Sequence, residues 1–326
     1  MKKISIVVPV YFNEPNLPDT VPRLLALKDK LAQSLELIFV DDGSGDKSLP
    51  ILLDFRSRYP EIVKVVKLSR NFGSMAAIQA GLKVAQGDCV GMTTADLQDP
   101  PELFLDMIGH WEKGIKAVLA VRSNREESMA KKFFANTYYA LIRRFAIPNY
   151  PAGGFDFFLV DRQVVDDIVS MNEKNTNLMS LIFWLGYPHV TIPYVRRRRE
   201  KGRSRWTLAK KIKLFVDSFV AFSYVPIRFL SFVGVTVALA SFAYGAFVVF
   251  QWFFTGIAVK GFAALAVFLS LASGVQMTML GIVGEYLWRT LEETRKRPNY
   301  VIDEVYSAER SNNGKESVLS TSSSHR

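Results

Sequence analysis

Two long apolar stretches near the end of the sequence place the strongest constraint on the fold. Between Phe229 and Gly284 the only charged residue is Lys260. The parts before and after this lysine each exceed the roughly 20 residues that a helix needs to cross the hydrocarbon core of a bilayer. We therefore expect two transmembrane helices, at about 229–254 and 261–284, that are joined by a short link as an antiparallel hairpin.

Positive charge is concentrated directly before these helices. The chain has 41 Lys and Arg against 31 Asp and Glu, a net charge of +10, and residues 1–195 hold 22 of each kind. Residues 196–213 hold ten basic side chains and one acidic side chain. Next to a membrane helix, each Lys or Arg contributes about 1 kcal/mol to binding anionic lipid. We therefore expect the lipid bilayer to be the partner of this segment, and we expect no nucleic acid partner.

The charge pattern also predicts an orientation. A second basic group, at 295–297, follows the second apolar stretch, and short loops rich in Lys and Arg stay in the cytoplasm. We expect a multi-pass protein of the inner (plasma) membrane, with its globular domain and both termini in the cytoplasm. Small residues in the helices permit either packing within one chain or a homo-oligomer; they are Gly234, Ala238, Gly245, Gly274, Gly281 and Gly284.

The composition divides the chain into four parts. They are a globular domain at 1–195, a basic loop with juxtamembrane amphipathic helices at 196–228, the transmembrane segment at 229–288 and a cytoplasmic tail at 289–326 that is disordered from about residue 307. A single cysteine, Cys89, excludes a disulfide framework and a Cys-rich zinc site.

The first domain alternates short β-branched runs with helical stretches. The predicted strands are Ile4–Val10, Glu36–Val40, Val63–Leu68, Cys89–Thr93 and Ala117–Val121, and the predicted helices are Asn16–Ser34, Lys47–Tyr59, Ser74–Ala85 and Pro101–Glu112. Repeated strand–helix–strand units form a mostly parallel sheet with helices on both faces. The sequence therefore predicts a Rossmann-like α/β domain.

Polar side chains follow the predicted strands, at the edge where such sheets bind ligands. Asp41 and Asp96 each end a strand, and Arg122 follows the fifth strand. We expect Asp41 to accept hydrogen bonds from the base or ribose of a nucleotide. For Asp42, Asp46 and Asp99, capping of a helix is an equally good interpretation.

Two oxygen-bearing side chains in this set indicate a metal. Asp96 and Gln98 are two residues apart on an extended segment, so both could reach one Mg²⁺ or Mn²⁺ ion that also binds substrate phosphates. No GxGxxG follows the first strand and no GxxxxGK[ST] is present, which disfavours dinucleotide and P-loop sites. Three scattered histidines disfavour a histidine zinc site or a Ser/His/Asp triad.

Seven short segments follow one another along the chain: VVPVYFNE (7–14), VDDGSGD (40–46), LSRNFG (68–73), ADLQDPPE (95–102), AVRSNRE (120–126), GGFDFFLVDR (153–162) and KGRSRW (201–206). In this order they resemble the GT-A-fold inverting glycosyltransferases that act on polyprenyl phosphates. That family includes dolichol-phosphate mannose synthases and, closer to this sequence, bacterial undecaprenyl-phosphate glucosyltransferases of the GtrB type. The resemblance covers about residues 1–300.

The resemblance implies a role for each matched position. It makes Asp156 the candidate catalytic carboxylate and Arg122 a ligand of the acceptor phosphate, with Asp96 and Gln98 at the metal and diphosphate. The residues expected to bind the nucleotide sugar are Pro9, Tyr11, Glu14, Asp41, Asp42, Arg70, Thr94 and Asp96. A flexible loop with Lys201, Arg203 and Arg205 is expected to bind the acceptor phosphate as well.

One position departs from the family. Its acidic motif usually begins with Asp, and this chain has Thr94 there. A hydroxyl binds Mg²⁺ poorly, so we expect the metal to rest on Asp96, Gln98 and the diphosphate.

The expected function is transfer of a hexose, foremost glucose from UDP-glucose, onto undecaprenyl phosphate at the cytoplasmic membrane face. Two alternatives stay open. One is the same reaction with GDP-mannose or a modified UDP-pentose as donor, and the other is a non-catalytic membrane scaffold with a degenerate nucleotide-sugar site.

Overall fold

The structure is a computed structural model. It describes residues 2–122, 137, 140–144, 146–147, 150–151, 154–171, 173, 177–196, 223, 225–255 and 261–308.

A single mixed sheet forms the centre of the first domain. Its order is β7-β5-β6-β4-β1-β2-β3-β8. The strands are β1 (Lys3–Val10), β2 (Ser34–Asp41), β3 (Val63–Leu68), β4 (Cys89–Met92), β5 (Ala117–Arg122), β6 (Phe155–Asp161), β7 (His189–Tyr194) and β8 (Ile302–Tyr306). Six of these strands run in one direction, while β6 lies antiparallel to β4 and β5, and β8 lies antiparallel to β3. The predicted parallel strands are present, and β6 to β8 were not predicted.

Helices cover both faces of the sheet. They are α1 (Leu17–Leu25), α2 (Ser48–Arg58), α3 (Ser74–Val84), α4 (Leu103–Glu112), α5 (Arg162–Met171) and α6 (Leu178–Trp184). Buried residues of α1, α2 and α4 form one apolar cluster, and those of α3, α5 and α6 form a second cluster on the opposite face. Adjacent strand residues alternate between the two clusters, as Val7 and Val8 do in β1. The central strands are therefore apolar on both sides, which explains their continuous β-branched sequence.

The first helix is shorter than predicted. It ends at Leu25, a 3-10 turn follows at Lys28–Lys30, and β2 already begins at Ser34. Ser34 pairs with Lys3 of β1, so sheet pairing removes this residue from the predicted helix.

Two long helices follow the domain, α7 (Val225–Thr255) and α8 (Phe262–Thr294). The rings of Tyr244 and Phe268 lie 6.4 Å apart, and a Cβ on Gly234 would approach Met279 to 2.7 Å. These two contacts show that the helices run antiparallel. Within the described residues, one stretch is long and apolar enough to cross a membrane: Ile227–Phe247 in α7, with mean hydropathy 1.7. The second predicted span lies in α8, but the described residues add no second candidate.

The segment after α8 returns to the sheet, which the sequence analysis did not predict. Strand β8 forms an edge beside β3, with an ion pair of 2.6 Å between Lys67 and Asp303. Arg56 donates to the backbone oxygen of Ser307 at 2.7 Å. The chain that leaves the second long helix is therefore attached directly to the α/β domain.

Candidate functional site

The loops that follow β2 and β3 are packed against each other at the carboxyl edge of the sheet. Gly43 has φ +68, and a Cβ there would lie 2.7 Å from the backbone carbon of Arg70 and 2.8 Å from the nitrogen of Asn71. Only glycine combines this backbone conformation with so close an approach. The contact fixes the two loops relative to each other.

Asp41, the last residue of β2, has an unsatisfied acceptor at this edge. Its side chain is buried, and Oδ2 accepts a 3.3 Å hydrogen bond from the backbone nitrogen of Ser44. Its other oxygen, Oδ1, is buried and accepts no hydrogen bond. Burial raises the pKa of Asp41 above its usual value. A buried carboxylate oxygen without a donor is costly, and a ligand with an N–H or O–H group would satisfy it.

Asp42 is also buried, but both of its oxygens are already occupied. They accept from the backbone nitrogens of Phe72 (2.7 Å) and Gly73 (2.9 Å), and from the Asn71 amide (2.9 Å). Burial raises the pKa of Asp42, although these backbone bonds oppose the shift. All of these donors belong to the loop before α3, and none of them lies in the first turn of the helix. Asp42 therefore shapes the site through the 70–73 loop.

The remaining residues expected to bind the nucleotide lie around the same loops. Pro9 lies in β1 opposite Val40, and the ring of Tyr11 meets that of Phe12 edge to face at 4.7 Å. Glu14 accepts from the backbone nitrogen of Lys47 at 3.1 Å.

Arg70 lies on the exposed side of this group. Its guanidinium lies 4.1 Å from the centre of the Phe72 ring, and it donates to the backbone oxygen of Asn71 at 3.1 Å. The structure thus brings the predicted nucleotide residues to one edge.

The loop after β4 carries the predicted metal residues. The Thr94 hydroxyl lies 2.7 Å from Oδ1 of Asp96 and 3.0 Å from Oδ2 of Asp99. The backbone nitrogen of Gln98 lies 3.4 Å from Oδ1 of Asp96, and Leu97 between them has φ +54. Thr94 therefore lies beside Asp96 and hydrogen-bonds it, but it adds no negative charge to the site.

These residues fit a metal that is shared with a substrate. Within the described residues, no group of three or more His, Cys, Asp or Glu side chains could hold an ion alone. The half-buried carboxylate of Asp96 and the amide oxygen of Gln98 are hard donors, and Mg²⁺ is commonly held by one or two protein groups plus substrate phosphates. The donor set therefore fits Mg²⁺ or Mn²⁺ with a diphosphate, and it does not fit a site built from protein alone.

Arg122, the last residue of β5, lies at the other side of this edge. It pairs in register with Tyr194 of β7, and its side chain hydrogen-bonds the Tyr194 hydroxyl. Tyr194 donates in turn to Asp99 at 2.6 Å. Tyr194 was not predicted, because it lies far from the other site residues in sequence and carries no motif.

The backbone places Asp156 at the same edge. Ala120 pairs with Phe157 and Val121 with Phe155, so the β5–β6 register skips Asp156. Such β-bulges re-aim a side chain and are frequent next to active sites. The side chain of Asp156 lies outside what the structure describes, and so do Lys201, Arg203 and Arg205 with the predicted interfacial helix.

Comparison with known proteins gives the family of the chain. The glycosyl transferase family 2 profile matches residues 5–169. The uncharacterized glycosyltransferase YkcC of Bacillus subtilis is 38% identical over 94% of this chain and 94% of its own. The prophage bactoprenol glucosyl transferase homolog of Escherichia coli is 34% identical over 93% of this chain and 99% of its own. The bactoprenol glucosyl transferase of Shigella phage SfV is 33% identical over 92% and 98%.

Solved structures are more distant. Mannosyl-3-phosphoglycerate synthase from Rubrobacter xylanophilus aligns with a TM-score of 0.48 and 16% identity over 72% of this chain and 75% of its own. The family match and the sheet described above confirm an α/β, GT-A-like domain with a mixed sheet.

Proposed function

The chain belongs to glycosyl transferase family 2, and from this premise we propose that it moves glucose from UDP-glucose onto polyprenyl (undecaprenyl) phosphate. The relatives named bactoprenol glucosyl transferase support this choice of sugar and acceptor, because they align over more than nine-tenths of this chain. That alignment extends past the α/β domain into the two long helices.

The observation that carries the donor half of the proposal is the unsatisfied Oδ1 of Asp41. It is buried at the carboxyl edge of the sheet, where α/β folds bind nucleotides. A uracil N–H or a ribose hydroxyl supplies the donor that this oxygen lacks. Asp42 holds the neighbouring loop in place, and Pro9, Tyr11, Glu14 and Arg70 surround the nucleotide.

Asp96 and Gln98 would hold Mg²⁺ or Mn²⁺ together with the donor diphosphate. When bound, the ion neutralises the charge that develops on the leaving diphosphate. Thr94 orients Asp96 through the 2.7 Å hydrogen bond.

The acceptor half of the proposal rests on Arg122, with Lys201, Arg203 and Arg205 as further phosphate ligands. A phosphate oxygen of the lipid forms the new bond to the anomeric carbon as the bond to the diphosphate breaks, with inversion. The second pKa of a phosphate monoester is about 6, so the nucleophile is largely ionised near neutral pH. We assign Asp156 to orient the acceptor or to take a residual proton.

The membrane part of the proposal is a hairpin of α7 and α8 in the inner membrane, with the α/β domain and the 289–326 tail on the cytoplasmic side. It is supported by the candidate span in α7, whose apolar side chains are exposed, and by the antiparallel contact with α8. Basic residues 196–213 would hold the site near the lipid headgroups.

The test uses the full chain in nanodiscs with undecaprenyl phosphate and Mg²⁺ or Mn²⁺. Radiolabelled UDP-glucose, other UDP-sugars and GDP-mannose are supplied in turn, and label in the organic phase is counted. We expect lipid-linked label with UDP-glucose and its loss in Asp156→Asn. If another nucleotide sugar gives lipid-linked label and UDP-glucose does not, that nucleotide sugar is the donor. If no donor gives label, the alternative of a non-catalytic membrane scaffold is favoured.

A further inference from the structure

One buried carboxylate in the site region is not used by the proposed reaction. The side chain of Asp99 has no exposed surface. It is surrounded by the Thr94 hydroxyl at 3.0 Å, the Tyr194 hydroxyl at 2.6 Å and the guanidinium of Arg196 at 3.4 Å. Buried carboxylates need such partners, because an unpaired buried charge is strongly unfavourable.

Two of the three contacts of Asp99 lead to opposite sides of the site, while the third is the ion pair with Arg196. Through Thr94 it reaches Asp96, at the metal and diphosphate side of the site. Through Tyr194 it reaches Arg122, at the acceptor side. The Tyr194 hydroxyl gives its proton to Asp99 and therefore receives the hydrogen bond of Arg122 on its oxygen.

We propose that Asp99 and Tyr194 are positioning residues that hold Arg122 and the 94–98 loop in one fixed arrangement. The proposal rests on the function proposed above, and it deepens that function by adding two residues that touch neither substrate. The arrangement is rigid because both members are buried, and because Tyr194 is held in register with Arg122 by the β5–β7 pairing. Asp99 and Tyr194 thereby fix the distance between Arg122, on the acceptor side, and the 94–98 loop, on the donor side.

The two ends of this bridge can be tested separately. Tyr194→Phe keeps the ring, which packs in the apolar cluster with Phe157, and removes only the hydroxyl. We expect the KM for undecaprenyl phosphate to rise about tenfold, since a hydrogen bond to a charged group is lost. We expect the KM for the donor to change less than about twofold.

Thr94→Val removes the hydroxyl at the other end. Here we expect the metal concentration for half-maximal activity and the KM for the donor to rise, and the KM for the acceptor to stay. Thr94→Ser, which keeps the hydroxyl, should restore both values.

The chain offers a matched control. Tyr187 donates to Asp167 at the same distance, 2.6 Å, but both residues lie away from the sheet edge that forms the site. Tyr187→Phe should therefore leave both KM values unchanged.

Asp99→Asn tests the bridge with the side-chain shape preserved, should Tyr194→Phe fold poorly by circular dichroism. It should raise the KM for the acceptor through the weakened link to Arg122. An acceptor KM that is unchanged in folded Tyr194→Phe or Asp99→Asn overturns the inference, as does an equal rise in Tyr187→Phe. Loss of all transfer in the wild-type chain would instead count against the proposed function, so the two failures are distinguishable.

Discussion

The neighbouring residues Asp41 and Asp42 give a sharp test of the donor site, because they are equally buried but have opposite hydrogen-bonding states. Asp41 accepts from Ser44, whose backbone nitrogen lies 3.3 Å from Oδ2 and whose hydroxyl also donates to the carboxylate, and it leaves Oδ1 without a partner. Asp42 accepts three bonds of 2.7 to 2.9 Å. Replacing each by asparagine keeps the shape and removes the charge.

For Asp41→Asn we expect weaker donor binding without loss of stability. A hydrogen bond to a charged group contributes about 1.5–3 kcal/mol, which corresponds to a roughly 10- to 100-fold higher Kd for UDP-glucose. Burial raises the pKa of Asp41, so its contribution to stability is present at low pH and is lost as the pH rises through the raised pKa. At neutral pH the asparagine therefore removes a cost, and the free energy of unfolding should stay the same or increase.

For Asp42→Asn we expect the reverse. The amide cannot accept all three bonds, so at least one loop donor becomes unsatisfied, and the free energy of unfolding should fall by about 1–3 kcal/mol. The assay pairs isothermal titration of UDP-glucose with urea unfolding for both variants at pH 7.5. An unchanged donor Kd in Asp41→Asn, or a larger loss of stability in Asp41→Asn than in Asp42→Asn, would refute the reasoning.

The remaining measurements test the fold that carries the site. Lys64→Met leaves the buried Glu36 carboxylate without the ammonium group 2.7 Å away, so the free energy of unfolding in urea should fall by about 3–5 kcal/mol; a change below about 1 kcal/mol would contradict this. Burial alone would raise the pKa of Glu36, but its hydrogen bonds and the charge of Lys64 have the larger effect and hold this pKa below its usual value of 4.5. In the wild-type protein the stability from this ion pair should therefore be present at neutral pH and be lost only as the pH falls below about 4.5. Gly43→Ala should lower the free energy of unfolding by more than about 1 kcal/mol, because Gly43 has a positive φ and close neighbours. At Gly45 a Cβ would lie 3.5 Å from its nearest atom, so Gly45→Ala should unfold at the same urea concentration as the wild type. Burial raises the pKa of the Cys89 thiol, so Ellman's reagent should label it only in urea, and fast labelling of the native protein would show that the core is open there.

The sequence was sufficient to predict strands β1 to β5, because those strands have local signals. Each is a β-branched run, and β3 matches its predicted bounds of Val63–Leu68. Strand β8 has a weaker signal, since the short segment IDEVY is interrupted by two acidic residues and its pairing with β3 depends on a segment more than 200 residues away. The reversed strand β6 was recognised only as a motif, and its bulge at Asp156 is visible only in the register with β5.

The candidate site likewise has residues that the sequence could predict and residues that it could not. Asp41 and Asp96 could be predicted from their positions at strand ends, and the structure brings them to one edge. Sequence could not decide between the two interpretations of Asp42, because its role depends on backbone donors of the 70–73 loop. Tyr194 could not be predicted, because only the β5–β7 pairing brings it beside Arg122.

The most direct test of the proposed function is the identity of the product. The full chain in nanodiscs is incubated with UDP-glucose, undecaprenyl phosphate and Mn²⁺, and the lipid is analysed by mass spectrometry and by NMR of the anomeric proton. Inversion of the α-linked donor predicts undecaprenyl phosphate carrying one β-linked glucose. A product with the α linkage would contradict the proposed inversion, and free glucose without lipid-linked sugar would contradict the transfer itself.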